Sequence, residues 1–475
     1  MTPALPTTLT DAARILSEGQ ASSRELTENC LHTIDSRHQE LRAFITVEQD
    51  AALRAADESD ERRRDGARRG PLDGLPVAVK DNLDVAGRAT TMGSAIFRDH
   101  IPLQSAAVVD RLEEQGAVRL GATNLHEFAL GVTTENPHYG ICRNPWDTSR
   151  TPGGSSGGSA VAVAAGMALA ALGTDTSGSI RIPAAACGIV GLKPTYGRIS
   201  SFGCYPEAWS LDHVGVLTAS VADAALLLDA LSGHDARVRS SLPLPPTSSL
   251  HEIDQQRPLR IGIEEEFFFS GVDAEVEGIV RGILDELGRV GASLVPVTLP
   301  SLSDAIFALT VIDTSETTAF HDAQLRRHGE QYGEDVRRLV ECGALASAVD
   351  YLHAQQIRSN VRAEFHRAFD DVDVIASPTL PLRTPRVGET SVVVNGETRD
   401  RDAELMRLVG PSNLAGIPSV SVPCGMLDGM PVGMQLIGPA LGEAAVLRAA
   451  AAVEALVPPR LTPTPSSPTS PPPRR

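Results

Sequence analysis

Lysine is nearly absent from this chain, which makes each lysine a chemical question. Of its 42 Lys and Arg residues only two, Lys80 and Lys193, are lysine. A guanidinium does not deprotonate in proteins, whereas a buried ammonium can lose its proton and act as a base. Lys80 ends the run Val77-Ala78-Val79, an apolar wall of the kind that lowers an ammonium pKa by desolvation. Against this stands the ordinary fate of a strand-end lysine, its head in water. Lys193, in Gly191-Leu192-Lys193-Pro194, reads as a lysine exposed in a turn. Composition makes Lys80 a candidate base and no more.

Two loops of small residues offer nucleophiles. Gly153-Gly154-Ser155-Ser156-Gly157-Gly158-Ser159 opens directly onto an alanine-rich helix, so it is more than a flexible linker. It lacks the lysine of a phosphate-binding loop. Ser155 is the centre of a Gly-x-Ser-x-Gly pattern, but a nucleophile elbow wants a strand just before it. Residues 143–152 contain two prolines and read as loop. The second loop, Gly173 to Ser179, leads into Ile180-Arg181-Ile182-Pro183. No His-Glu-x-x-His occurs and no two histidines stand four apart, so no metal site and no cofactor are expected.

These residues need a scaffold, and the hydrophobic pattern describes an α/β one. Residues 8–60 read as helix, Gly74 to Lys80 as a buried strand, and Gln104 to Leu120 as a helix running into a strand. Ala160 to Leu172 reads as a buried helix too short to span a bilayer. A polar, proline-rich connection covers 235–258. Beyond it come a strand at Leu259 to Ile263, helices to about 370, and strands at Val372 to Ala376, Ser419 to Val422 and Val432 to Ile437. A helix at Glu443 to Leu456 closes the folded part. From Val457 to Arg475, eight of 19 residues are proline, a tail predicted to be disordered.

Net charge is −18, which disfavours direct binding to nucleic acid. Six scattered cysteines without a Cys-x-x-Cys pair suit a reducing cytoplasm, and Met1 to Thr10 lacks a signal-peptide layout. A cytoplasmic protein without membrane association is expected.

The order Lys80, Ser155, Ser179 closely resembles the amidase signature family. The resemblance runs on through Thr123-Asn124-Leu125-His126-Glu127-Phe128, Cys187 to Arg198, Ser210-Leu211-Asp212-His213-Val214-Gly215, Asn413 to Pro418 and Gly433 to Gly438. It implies one large domain over 1–456 with a central mixed β-sheet flanked by helices, a signature core at about 70–235 and a C-terminal part at about 258–456. It further implies that Ser179 is the nucleophile, Ser155 a bridging serine on a cis peptide and Lys80 the ultimate base. The backbone amides of Thr176, Ser177, Gly178 and Ser179 would then form the oxyanion hole. Asp175 and Arg181 are expected as an ion pair bracing this loop. By the same analogy, pocket walls come from Leu130 and Gly131, from the loop Cys204 to Trp209 with Tyr205 and Trp209 as aromatic contacts, and from residues 305–355.

The reaction so implied is hydrolysis of a small carboxamide through an acyl-enzyme, with release of ammonia or an amine. The alternative is the A subunit of a glutamine-dependent aspartyl/glutamyl-tRNA amidotransferase, which works with partner subunits. Such subunits carry an acidic residue about seven positions before Asn-Leu-Ala-Gly; Met406 stands there, with Glu404 nearby. Arg337 or Arg338 would match the arginine that holds the donor carboxylate, though both read as helix-surface residues. Most relatives have Gly where Ser177 stands. No oligomeric state is legible, and a homodimer is left open.

Overall fold

A computed structural model describes residues 7–253, 257–458 and 463. One mixed sheet of 11 strands runs through it. In spatial order the strands are Phe44–Val47, Val118–Thr123, Pro76–Lys80, Ala170–Asp175, His213–Thr218, Val190–Lys193, Ser419–Leu427, Met430–Ile437, Val374–Pro378, Arg260–Ile263 and Ser293–Pro296. Pro76–Lys80 pairs in parallel with both its neighbours. The middle of the sheet, from Ala170–Asp175 to Val374–Pro378, is antiparallel. The N-terminal and C-terminal strands join where Ser419 pairs with Lys193.

Both faces are covered, as a partly parallel sheet requires. Successive side chains point to opposite faces. Val77 and Val79 therefore enter one core, with the helices Val221–Leu231 and Glu443–Leu456. Ala78 enters the other, with Ser23–Leu41, Gln49–Arg64 and Gly157–Ala164. A strand buried on both faces reads as a continuous apolar run, which is why Pro76–Lys80 is legible in the sequence. Two long helices, Ala305–His328 and Ala348–Asp371, pack against each other beside the site.

Several boundaries differ from expectation. The apolar stretch from Ala160 to Leu172 is half helix and half strand: the helix ends at Ala164, Gly166 takes a left-handed φ of 71°, and a strand starts at Ala170. An alanine-valine run carries no period that separates the two. Two edge strands, Phe44–Val47 and Ser293–Pro296, lie within segments that read as helical. Apart from 457, 458 and 463, the proline-rich tail lies outside the described residues. Among those described, no helix is long and apolar enough to cross a membrane.

Candidate active site

Lys80 closes its strand with no solvent exposure. Its Nζ donates to Ser155 Oγ at 2.7 Å and to Thr174 Oγ1 at 2.7 Å. Asn82 Nδ2 donates to the same Thr174 hydroxyl at 3.1 Å. Thr174 sits on the adjacent strand Ala170–Asp175, so parallel pairing brings the lysine to its partner. Burial pushes the Lys80 ammonium down to about 8, while nearby Glu207, Cys204, Asp175 and Asp212 oppose the drop. Half its protons are therefore gone within reach of neutral pH. Neither Thr174 nor Asn82 carries a motif that singles it out in the sequence.

Ser155 follows a cis peptide bond from Gly154 and is fully buried. Its carbonyl accepts from the His126 amide at 3.1 Å, and Thr134 Oγ1 holds the Gly153 carbonyl at 2.9 Å. Ser156 fastens this loop to the second one. Its hydroxyl donates to the Thr174 carbonyl at 3.1 Å and its amide to the Ser179 carbonyl at 3.2 Å. The helix Gly157–Ala164 begins inside the Gly/Ser loop because its first turn lies against other backbone. A Cβ on Gly158 would stand 2.3 Å from the Asn124 carbonyl oxygen.

The second loop is braced from beneath. Asp175 and Arg181 form a fully buried pair, Nε to Oδ2 at 3.0 Å and Nη2 to Oδ1 at 2.9 Å. Burial alone would raise the Asp175 carboxyl; the Arg181 guanidinium overrides this and holds it well below the usual range. Arg181 also donates to the Val409 carbonyl, Ser412 Oγ and Gln435 Oε1 at 2.6–2.8 Å. Asn413 Nδ2 donates to Asp175 Oδ1 at 2.8 Å. The C-terminal motifs around Asn413 and Gln435 thus exist to satisfy a buried ion pair, which is costly when left unpaired.

One expected oxyanion donor is spoken for. The Gly178 amide donates to Asp175 Oδ1 at 2.9 Å, because that carboxylate caps the turn entering the helix Arg181–Cys187. The amides of Thr176, Ser177 and Ser179 have no such partner among the described residues. Gly178 is required by its φ of 123° and by Val409, whose Cγ2 lies 2.3 Å from where a Cβ would stand. Ser179 is 4 % exposed.

Lys193 corrects the sequence reading. It is fully buried: strand pairing with Ser419 carries it inward, and its Nζ donates to the Ile417 carbonyl. Burial and the Arg181 charge depress it well below an ordinary lysine.

The four expected pocket contacts separate. Leu130 is committed to a buried cluster with Met92, Phe128 and Tyr332. Gly131 lies against the His126 ring, 2.4 Å from where a Cβ would stand. Tyr205 is half-buried, edge-on to Phe97 and Phe320 at 5.3 and 5.1 Å between centroids. Trp209 is 49 % exposed. The loop Cys204 to Trp209 does meet the helix Ala305–His328, where Thr317 Oγ1 donates to the Glu207 carbonyl at 3.0 Å.

Between these two elements lies a group of carboxyls, of which only Asp212 falls in one of the sequence motifs. Ser177 Oγ donates to Asp313 Oδ2 at 2.9 Å and Thr176 Oγ1 to Asp212 Oδ1 at 2.7 Å. Asp212 also accepts from the amides of Glu207 and Ala208 at 3.0 and 3.1 Å. Burial pushes Asp212 up to about 7 and Asp313 up to about 6. Burial, then the neighbouring Asp313 and Asp212, push Glu207 well above the carboxylate range.

The residues expected at an amidotransferase donor site are engaged elsewhere. Glu404 pairs with Arg399 and Arg407 at 3.3 and 3.1 Å, and Met406 packs beside Val132 and Ile182. Arg337 and Arg338 pair with Glu341 and Glu334 on an exposed helix face.

The Amidase family model matches residues 25–447. The A subunit of the glutamyl-tRNA(Gln) amidotransferase of Chloroflexus aggregans is 41 % identical over 93 % of this chain and 94 % of its own length. The solved peptide amidase of Stenotrophomonas maltophilia superposes with a TM-score of 0.83 at 32 % identity, covering 98 % of this chain and 100 % of that one. An enzyme of s-triazine catabolism, solved within a vestigial protein complex, gives 0.91 at 36 % identity, covering 94 % and 98 %. With a sheet of this order and a match over nearly its whole length, the chain belongs to the amidase signature family.

Proposed function

We propose that the protein hydrolyses a small carboxamide, with Ser179 as nucleophile, Ser155 as proton relay and Lys80 as base. The observation that carries this reading is the buried contact of 2.7 Å between Lys80 Nζ and Ser155 Oγ. When Lys80 is neutral that contact reverses, and Ser155 donates to Nζ. Ser155 then accepts the proton of Ser179 as Ser179 Oγ bonds to the carbonyl carbon, a relay open to a hydroxyl because it donates and accepts at once. The amides of Thr176, Ser177 and Ser179 receive the developing oxyanion, each such donor contributing about 3–4 kcal/mol in well-studied enzymes. Collapse breaks the C–N bond, and the leaving nitrogen takes the proton back from Lys80 through Ser155. Water enters by the reverse path and frees the acid from Ser179. No step calls for a metal or cofactor. Six scattered cysteines without a Cys-x-x-Cys pair support a reducing, cytoplasmic setting.

A second reading is favoured by the curated relatives: the A subunit of a tRNA-dependent amidotransferase, which passes ammonia to partner subunits. The chemistry at Ser179 is shared, and only the destination of the ammonia differs. The engagement of the largely buried Glu404 by Arg399 and Arg407 supports the stand-alone reading.

The test is ammonia or amine release by the purified full chain from aliphatic and aryl carboxamides. Turnover without any partner, lost together with fluorophosphonate labelling in Ser179→Ala, is expected. Activity on glutamine alone, and only with partner proteins supplied, would replace the first reading with the second. Labelling that persists at Ser155 would overturn the assignment of Ser179.

A further inference from the structure

Ionised together, the carboxyls beside the reactive loop would carry more negative charge than their surroundings answer. Glu207, Asp212 and Asp313 gather there, and among the described residues none of them forms an ion pair with an arginine or histidine. The cation whose field reaches Glu207 is Lys80, which the proposed chemistry needs neutral. Asp212 is internally satisfied, accepting from Thr176 and two loop amides. Asp313 is partly open to solvent and touches Ser177, the residue two positions before Ser179. Glu207 is only 6 % exposed, and its Oε2 is buried without a hydrogen-bond partner.

An orphaned buried carboxylate oxygen is costly and calls for a donor from outside the chain. A metal ion does not fit: among the described residues no three His, Cys, Asp or Glu side chains come together closely enough to hold one. Asp313, partly open to solvent, bonds Ser177, and the enclosed Glu207 carboxyl is reached by the Thr176 hydroxyl, so the two carboxyls flank one edge of the loop that ends at Ser179. The half-buried Tyr205 and the neighbouring Phe320 form an aromatic wall near it, a surface that also attracts cations.

We infer that Glu207 and Asp313 receive a positively charged nitrogen of the substrate, so that the preferred amide carries an alkylammonium a short chain away from its scissile carbonyl. The inference rests on Ser179 as the reacting serine. An ammonium supplies three donors with no acceptor, which suits the free Oε2 of Glu207 and the remaining lone pairs of Asp313. It also offsets what raises these carboxyls: burial first, then Asp313 and Asp212 around Glu207, and burial with Glu316 around Asp313.

The experiment compares three amides of similar size: β-alaninamide, carrying an ammonium; butyramide, neutral; and succinamate, carrying a carboxylate. Binding to the full-length Ser179→Ala variant is followed by NMR titration, and ammonia release by the unmodified protein is measured in parallel. β-Alaninamide is expected to bind about thirtyfold or more tightly than butyramide, with succinamate weakest. Adding the near-isosteric Glu207→Gln or Asp313→Asn change, each checked by circular dichroism, is expected to bring that ratio close to one. Equal binding of the three amides, or tightest binding of succinamate, overturns the inference. A preference for ammonium that survives both substitutions overturns its assignment to these residues. Ammonia release without cation preference leaves the amidase reading standing and removes this one. Cation-selective binding without any ammonia release does the opposite.

Discussion

Lys80 Nζ and Ser155 Oγ lie 2.7 Å apart, and neither residue reaches solvent. The pairing depends on register rather than on chain proximity, since 75 positions separate the two. The strand Pro76–Lys80 delivers the amine, and the strand Ala170–Asp175 delivers Thr174 to hold it. Ser156 ties the loop of Ser155 to that of Ser179. The geometry thus places a desolvated amine, a hydroxyl and a tightly braced second serine loop at one end of the sheet.

Removing the amine tests its role directly. Lys80→Met is expected to lower kcat/KM for any amide substrate by about 10²–10⁴-fold, the usual worth of a positioned base. Lys80→Arg is expected to fail equally, because a guanidinium stays protonated. The check is steady-state ammonia release. Near-normal turnover by the arginine variant would show that charge, not basicity, is what the site uses.

The pH profile follows from the same group. Burial lowers Lys80 to about 8, and only its neutral form accepts a proton. Activity should therefore rise with pH through about 8 and level off above it. The carboxyls of Glu207, Asp175 and Asp212 and the thiol of Cys204 face this amine and hold its value up. Glu207→Gln removes one of them and is expected to move the limb to lower pH. A profile flat from pH 6 to 9 would separate the rate from Lys80.

Much of this arrangement is legible in the residues. Arginine elsewhere makes Lys80 conspicuous, and a continuous apolar run marks its strand. The motif order supplies Ser155 and Ser179. Other features leave no local trace. Ala160 to Leu172 has no period to divide helix from strand, and Thr174 and Asn82 are unremarkable until sheet pairing places them beside Lys80. Glu207 and Asp313 are 106 positions apart and meet only through the packing of a loop on a long helix. Lys193 reads as exposed because the turn after it is local information, whereas its burial comes from pairing with Ser419.

The Asp175–Arg181 pair should govern stability more than chemistry. Arg181→Met leaves a buried carboxylate without its counter-charge and is expected to cost about 3–5 kcal/mol in chemical denaturation. Arg181→Lys is expected to recover little, since one ammonium cannot reach Asp175, Val409, Ser412 and Gln435 together. The sign with pH follows from the depressed Asp175 value. Its contribution is fully present above the ordinary carboxylate range and is lost as pH falls through the lower folded value. Arg181→Met should remove that acid-side loss.

Lys193 makes the opposite statement on the alkaline side. Burial and Arg181 depress its pKa well below the normal lysine value. Between the folded and unfolded values the unfolded chain binds more protons, so this residue's contribution to stability rises with pH. That contribution is fully present above about 10.4 and lost as pH falls toward the folded value. Lys193→Met keeps the length of the side chain and removes the titration, leaving the Ile417 carbonyl without its donor. The stability of the unmodified protein minus that of Lys193→Met should climb as pH is raised from 7 to 10. Urea denaturation across that range measures the difference. Tyrosines and the other titrating groups act alike in both proteins and drop out. A constant difference would mean that Lys193 titrates normally, which its burial beside Arg181 does not allow.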